Sequence, residues 1–167
     1  VMPGVEPDGT VLHPTSFHTL GAITAHLHAH SRSWQPPSGF RRFSWDWENT
    51  LGDNPRWGRW QDGIGMTEHD LQLFGAAAEI VRRRLAEYGD GAERFGLVHA
   101  DLRLANLLVE DEKVNVIDFD DCGYSWFMYD FGTAVSFIEH DPRLPEWQRA
   151  WVDGYRSVRT LTDEDEA

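Results

Sequence analysis

The stretch from Gly96 to Phe137 constrains this chain more than any other. An apolar run, Gly96-Leu-Val, leads into His99-x-Asp101, and Asn106 follows five residues after that aspartate. A β-patterned run, Val114-Asn-Val-Ile117, then delivers Asp118, seventeen residues after Asp101, and Tyr129-Asp130-Phe-Gly closes the stretch. These residue types are those a phosphoryl-transferring chain needs. One carboxylate takes the proton of an attacking hydroxyl, while an amide oxygen and a second carboxylate hold magnesium against phosphates. Asp101 leaves a strand and enters a loop, so its carboxylate can project from a fixed edge. Asn106 can turn its carbonyl oxygen back to the same space, and Asp118 ends the next hairpin strand beside them. His99 reads as a brace for the loop.

Around that stretch the periodicity predicts a largely helical chain. Residues 1–14 are punctuated by Pro and Gly and read as an extended lead-in. Phe17, Leu20, Ile23 and Leu27 recur at helical spacing, with Thr15 or Ser16 as cap, and predict a helix to about His30. Residues 31–65 carry Pro36-Pro37, Gly39, Pro55 and five tryptophans. They read as a long segment that packs down on its aromatics, with Trp45 and Trp47 either in satellite core or lining a substrate pocket. Thr67 with Asp70 forms a capping box for a helix over 67–88, whose expected buried stripe is Leu71, Phe74, Ala78, Val81 and Leu85. Arg82, Arg83 and Arg84 fall in its last turns as a solvated end, and Gly89 supplies the exit. Phe95–His99, Leu107–Val109 and Val114–Ile117 read as strands, the last two joined by a turn over Glu110–Lys113. Residues 125–139 read as a central apolar helix and 144–159 as an amphipathic one, before an acidic, frayed tail over 161–167.

Bulk properties remove other classes. The 167 residues, 41% hydrophobic, suit one globular domain, with no run long enough to span a bilayer. A formal charge of −13 opposes a nucleic-acid partner and suits a cationic small substrate, if it is more than a device for solubility. The lone Cys122 excludes a disulfide framework, and no secretory leader is visible from Val1 to Asp8, so cytoplasm is the expected compartment. Cys122 itself reads as a small buried hydrophobe. Fourteen of the fifteen basic residues are Arg, and the single lysine, Lys113, lies in a turn.

Taken together, His99-x-Asp101-Leu-x3-Asn106 and Ile117-Asp118 resemble the catalytic and metal-binding segments of the aminoglycoside phosphotransferase-like kinases, a superfamily that includes homoserine and choline kinases. The resemblance implies an α+β, mainly helical fold, the C-terminal lobe of a protein-kinase-like fold, with a small β-hairpin carrying both loops. It implies that Asp101 is the catalytic base, that Asn106 and Asp118 hold Mg²⁺ and the ATP phosphates, and that Asp130 braces the catalytic loop. Arg103 stands where many protein kinases place a lysine near the transferring phosphate. It is carried as a catalytic candidate, with a simple pairing to an acidic neighbour as the other reading. Asp120 replaces the glycine of Asp-Phe-Gly and is carried as a metal or cationic-substrate candidate. No glycine-rich loop or strand lysine is present, so residues 1–167 read as one domain whose ATP-binding N-terminal lobe is absent and is expected in cis. The implied function is transfer of the ATP γ-phosphate to a small-molecule hydroxyl, such as an aminoglycoside, amino alcohol or sugar, with this piece alone inactive.

Three other readings compete. A degenerate lobe used only for binding is opposed by the intact Asp101, Asn106 and Asp118. A two-metal hydrolase could use Asp101, Asp118, Asp120 and Asp121, but it has no need of Asn106 at that spacing. His26, His28 and His30 invite a zinc reading. On a helix, though, His26 and His30 share a face and His28 points elsewhere, so all three read as helix surface.

Overall fold

Two helices distant in sequence form the spine. In the computed structural model, which describes residues 3–7, 13–110 and 113–166, α1 spans Pro14–Ser33 and α5 spans Leu144–Arg156. Each starts on a proline in its first turn, where the missing N–H costs nothing. Where they cross, glycine faces backbone. A Cβ built on Gly21 would lie 2.0 Å from the Trp151 carbonyl oxygen, and one on Gly154 would lie 1.9 Å from that of His18. Small residues at this crossing let the helices approach closely enough for Phe17 to stack on Trp147 at 5.0 Å. Phe17, Leu20, Trp147, Trp151 and Tyr155 are the large members of the main core.

The remaining elements lie around this pair. They are α2 (Trp47–Thr50), α3 (Glu68–Tyr88), β1 (Phe95–Val98), β2 (Leu107–Glu110), β3 (Lys113–Val116), β4 (Gly123–Trp126), α4 (Tyr129–Ala134) and α6 (Asp163–Glu166), with single 3-10 turns at Trp60–Asp62 and Leu104–Asn106. Two antiparallel pairs form, β1 with β4 and β2 with β3. In the first, Val98 faces Gly123, and in the second, Leu107 faces Val116. Val5 adds an isolated antiparallel bridge to Val109, so the lead-in runs along the β2 edge. Residues 111 and 112 of the expected turn, residues 8–12 of the lead-in and Ala167 of the tail lie outside the described residues.

Several expectations are corrected. Helix α1 starts one residue earlier, on Pro14 after His13, without a side-chain cap, and runs to Ser33. Its buried face is Phe17, Leu20, Gly21, Thr24, Ala25 and His28, so Ile23 and Leu27 sit at the edge of that face rather than on it. His28 is therefore not helix surface; it is fully buried, and only His26 and His30 are exposed. Residues 125–139 are not one helix. Gly123–Trp126 is a strand, because it pairs with β1, and only Tyr129–Ala134 is helical. The acidic tail is ordered through Glu166, with Asp165 hydrogen-bonded to the Tyr88 hydroxyl and Arg94 bonded to Glu164.

The capping box of α3 forms in both directions between Thr67 and Asp70, and Gly89 ends the helix at φ +80°. Its apolar stripe has no core to enter. Leu71, Phe74 and Val81 are 37%, 52% and 40% exposed, and no α3 residue is buried. Periodicity reports an apolar side, not whether something covers it.

The spine makes a clear prediction. Gly21→Ala or Gly154→Ala forces the helix axes apart, and overpacking of this kind costs roughly 1–3 kcal/mol or more. Thermal unfolding followed by circular dichroism should show a marked drop in Tm for either variant, whereas Gly132→Ala, with no atom within 4 Å of its built Cβ, should leave it within a degree or two.

Candidate active site

The site forms where β1 ends. After Val98 the chain turns at Ala100, which takes a left-handed φ of +67°. That conformation is costly for a residue with a Cβ, but it points two successive N–H groups the same way. Both donate to one buried carboxylate. His99 N–H reaches Asp130 Oδ2 at 3.2 Å, and Ala100 N–H reaches Oδ1 at 2.7 Å. His28 Nε2 meets Oδ2 at 2.9 Å from the opposite side. The Asp101 N–H turns back to His99 Nδ1 at 3.2 Å, and that of Leu102 donates to the Thr133 hydroxyl, which in turn donates to the Asp130 carbonyl. Helix α4 thus holds the N–H groups of His99, Ala100 and Leu102, on both sides of Asp101.

Asp101 projects from this turn, half-buried. Its Oδ2 accepts from Asn106 Nδ2 at 2.6 Å and from Arg103 Nε at 3.1 Å. Its Oδ1 has no partner among the described residues. One oxygen is therefore pinned while the other is open, the arrangement a general base requires. Asn106 is buried and its amide nitrogen also donates to the Asp101 carbonyl at 2.8 Å, so its amide oxygen is the atom left to bind something else.

The Asp118 turn is tied to the same framework. Ile117 N–H donates to the Asn106 carbonyl at 3.0 Å, and His99 Nε2 lies 3.1 Å from the Ile117 carbonyl. His99 therefore braces two loops at once. Asp118 itself has φ +63°, is exposed, and makes no hydrogen bond among the described residues. Asp120 is exposed beside it. The two turns are thus brought together by backbone bonds, with Asp101, Arg103 and Asn106 in direct contact and Asp118 and Asp120 on the adjoining loop. No three His, Cys, Asp or Glu side chains converge on a metal-sized site among the described residues. The acid cluster a two-metal hydrolase would use is not what the chain builds. Asn106 and Asp118 instead bring one amide oxygen and one carboxylate to adjoining turns, hard donors of the type that divalent cations accept together with phosphates and water.

The tryptophan-rich segment holds the Asp118 loop from outside. Arg42 donates to the carbonyls of Phe119 (2.9 Å) and Asp120 (3.3 Å), and the Trp45 indole donates to that of Asp121 (2.8 Å). Phe43 and Trp45 exchange backbone bonds with Tyr124, extending the β1–β4 pair. Trp45 is buried with Val98, Ala100 and Phe127, the satellite core weighed from the sequence. It also lines a cleft of about 800 Å³ with Leu51, Val81, Leu85, Trp126 and Tyr129. Burial, then the charges of Asp121, Asp130 and Asp101, raises the Tyr129 phenol above its ordinary range, so this cleft lies within the field of the site.

Sequence reasoning missed His28, Thr133, Arg42 and Tyr155. The phase of α1 carried the one available signal, since His28 stands four residues from Thr24 and three from Ala25 on the buried face. The other three act through backbone carbonyls or hydroxyls and leave no pattern.

Comparison with known proteins agrees with this geometry. The sequence model of the APH phosphotransferase enzyme family matches residues 3–166. The solved structure of the microcompartment-associated aminopropanol kinase superposes with a TM-score of 0.90 at 58% identity, over 99% of this chain and 52% of that one. Amicoumacin kinase of Bacillus subtilis (strain 168) is 30% identical over 146 residues, 86% of this chain and 40% of the relative. A structure of amicoumacin kinase in complex with AMP-PNP and Ca²⁺ shares the fold, with a TM-score of 0.71 at 22% identity over 98% of this chain and 49% of that one. The α+β, mainly helical kinase-like fold is thus the one observed. The chain spans about half the length of the relatives it matches. No helix among the described residues is long and apolar enough to cross a membrane.

Cys122 lies at the end of the Asp118 loop, with its N–H donating to the Phe119 carbonyl. Burial first, with a smaller contribution from Asp130 and opposition from Arg42, pushes its thiol pKa up. The thiolate is therefore scarce below pH 9, and alkylation by iodoacetamide at pH 8 should run well below the rate of a free cysteine thiol and climb as pH rises past 9. Arg42→Ala, which removes the charge that favours the thiolate, should slow it further at the same pH.

Proposed function

The chain belongs to the phosphotransferase enzyme family, and on that premise we propose that its whole protein transfers the γ-phosphate of ATP to the hydroxyl of a small molecule, with a short amino alcohol as the favoured acceptor. The observation that carries the reading is the split role of the Asp101 carboxylate, one oxygen pinned by Asn106 and Arg103 and the other open. In this reading Asp101 Oδ1 takes the hydroxyl proton as the oxygen attacks phosphorus. The Asn106 amide oxygen and Asp118 would hold the divalent metal, Mg²⁺ in the cell, with Asp120 next to it. Held by Asn106 and Asp118, the metal would offset the negative charge of the phosphates. Arg103 fixes the orientation of the base and adds positive charge beside the transferring group. Its ion pair with Asp101 supports the pairing considered from the sequence, and the charge-stabilising role is part of this proposal.

The acceptor class follows from two observations. The aminopropanol kinase shares 58% of the sequence over nearly the whole chain. The formal charge of −13 and the aromatic cleft beside Asp121 and Tyr129 suit a small cation. In this reading residues 1–167 form a single domain, the C-terminal lobe, and the phosphate-anchoring lysine and glycine-rich loop are supplied by an N-terminal lobe in the same polypeptide. The protein is expected to work in the cytoplasm without nucleic acid or membrane partners.

The test is ³¹P NMR of Mg-ATP with 1-amino-2-propanol, homoserine and an aminoglycoside, using the protein extended to its relatives' length. A phosphate ester of the amino alcohol is expected. Asp101→Asn should reduce its formation at least about 10²-fold with folding retained, and near-normal turnover by that variant would remove Asp101 as base. Asp118→Ala should weaken the Mg²⁺ dependence of nucleotide binding in calorimetric titrations, and an unchanged Mg²⁺ titration would reject its role.

A further inference from the structure

The buried acceptor Asp130 is reached by a hydrogen-bonded chain that starts on the far side of the molecule. Arg159, just beyond α5, donates through Nη1 to the Tyr155 hydroxyl at 2.6 Å. The Tyr155 oxygen lies 2.9 Å from His28 Nδ1, and His28 Nε2 lies 2.9 Å from Asp130 Oδ2. His28, Tyr155 and Asp130 are all fully buried. Phe127 packs under both ends, with its ring 4.7 Å from the His28 ring and 4.6 Å from the Arg159 guanidinium.

We propose that Tyr155, oriented by Arg159, is a positioning residue that fixes His28 as its Nε2–H tautomer and thereby holds the Ala100 turn presenting Asp101. The proton order follows from donor and acceptor capacity. Arg159 can only donate, so it takes a lone pair of the Tyr155 oxygen. The one proton of the phenol is then free to point at His28 Nδ1. With Nδ1 accepting, the ring proton must sit on Nε2, where it meets a carboxylate that can only accept. The opposite tautomer would set the Nε2 lone pair against Asp130 and leave a buried acceptor pair facing itself, a costly arrangement. With protons on both ring nitrogens, Arg159 and Nδ1–H would both donate to the Tyr155 oxygen and leave the phenol proton without an acceptor. Burial, only partly opposed by Arg159, holds the Tyr155 phenol up at about 12, so the hydroxyl keeps the proton it donates.

The consequence is felt at the turn. His28 shares Asp130 Oδ2 with the His99 N–H. A rotated or re-protonated imidazole pulls that oxygen away from the turn, so the His99 N–H loses its acceptor, and the same carboxylate then turns its Oδ1 from the Ala100 N–H, whose bond offsets the left-handed conformation. The importance of the turn rests on the phosphotransferase reading of Asp101, but the measurements that test the chain do not require activity.

Long-range ¹H–¹⁵N correlation spectra of the ¹⁵N-labelled protein should show His28 with a protonated Nε2 and an unprotonated Nδ1. A protonated Nδ1 would overturn the proposal. In Tyr155→Phe, which keeps the ring and loses the hydroxyl, Nδ1 is left buried without its donor, so the ring should rotate off Asp130 or take a proton on Nδ1, and that pattern should be lost. Amide exchange at His99 and Ala100 should also accelerate at least about tenfold while the amides of the α1–α5 spine keep their protection. Adding His28→Gln to Tyr155→Phe should restore slow exchange, because a glutamine amide donates to Asp130 without a tautomer to choose. An unchanged His28 pattern in Tyr155→Phe, uniform loss of protection across the spine, or no restoration by glutamine would each reject the positioning role.

Discussion

A single buried carboxylate organises the catalytic half of this molecule. Asp130 is withdrawn from water, and an ion in that position is tolerated only when its oxygens are fully engaged. Here the partners come from three separate elements: two backbone N–H groups at the end of β1, and a ring nitrogen from α1, all meeting a side chain on α4. Removing any one partner would expose the desolvation cost of the rest, so the three elements are bound to a common geometry. The turn that presents Asp101 inherits its precision from that requirement.

Non-glycine residues with positive φ mark the same region. Ala100 and Asp118 both adopt the left-handed conformation, at the two turns that carry the base candidate and the metal-ligand candidate. Such residues persist only where their surroundings over-determine them. For Ala100 the surroundings are Asp130 and Thr133. For the Asp118 loop they are His99 from inside, and Arg42 and Trp45 from outside, which cover the carbonyls from Ile117 to Asp121. The tryptophan-rich segment thus has a mechanical reason to be there: it forms an outer wall that sets the position of the Asp118 loop and one side of the adjacent cleft.

Helix α3 follows a different logic. Its cap, its charges and its terminating glycine make it locally well formed, yet its apolar residues face a cleft and solvent instead of a core. Local signals determine that a helix forms; they are silent about what it meets. In a chain that spans about half the length of its relatives, an apolar side of this kind is unsurprising.

The catalytic pattern was legible in one dimension because its chemistry lies within a short stretch. His99, Asp101, Asn106 and Asp118 are joined by a turn, a 3-10 segment and one hairpin, so their spacing carries their geometry. Strand β2, strand β3, the capping box at Thr67 and the aromatic side of α5 were legible for the same reason, since local periodicity and capping produce them. What the sequence could not reveal were the long-range decisions. The partner of β1 is β4, which turned residues expected in a helix into a strand. His28, which reads as one of three surface histidines, is buried because α1 rotates its Gly21 face onto α5. Arg42 acts on backbone carbonyls, and Tyr155 acts through its hydroxyl on the His28 ring, from positions about 80 and 130 residues away from their partners. The sequence by itself determined which groups are the candidates for the chemistry, through residue type and short spacing. Only the tertiary structure decided how those groups are held, because a buried charge selects its donors by proximity in space and leaves no period in the chain.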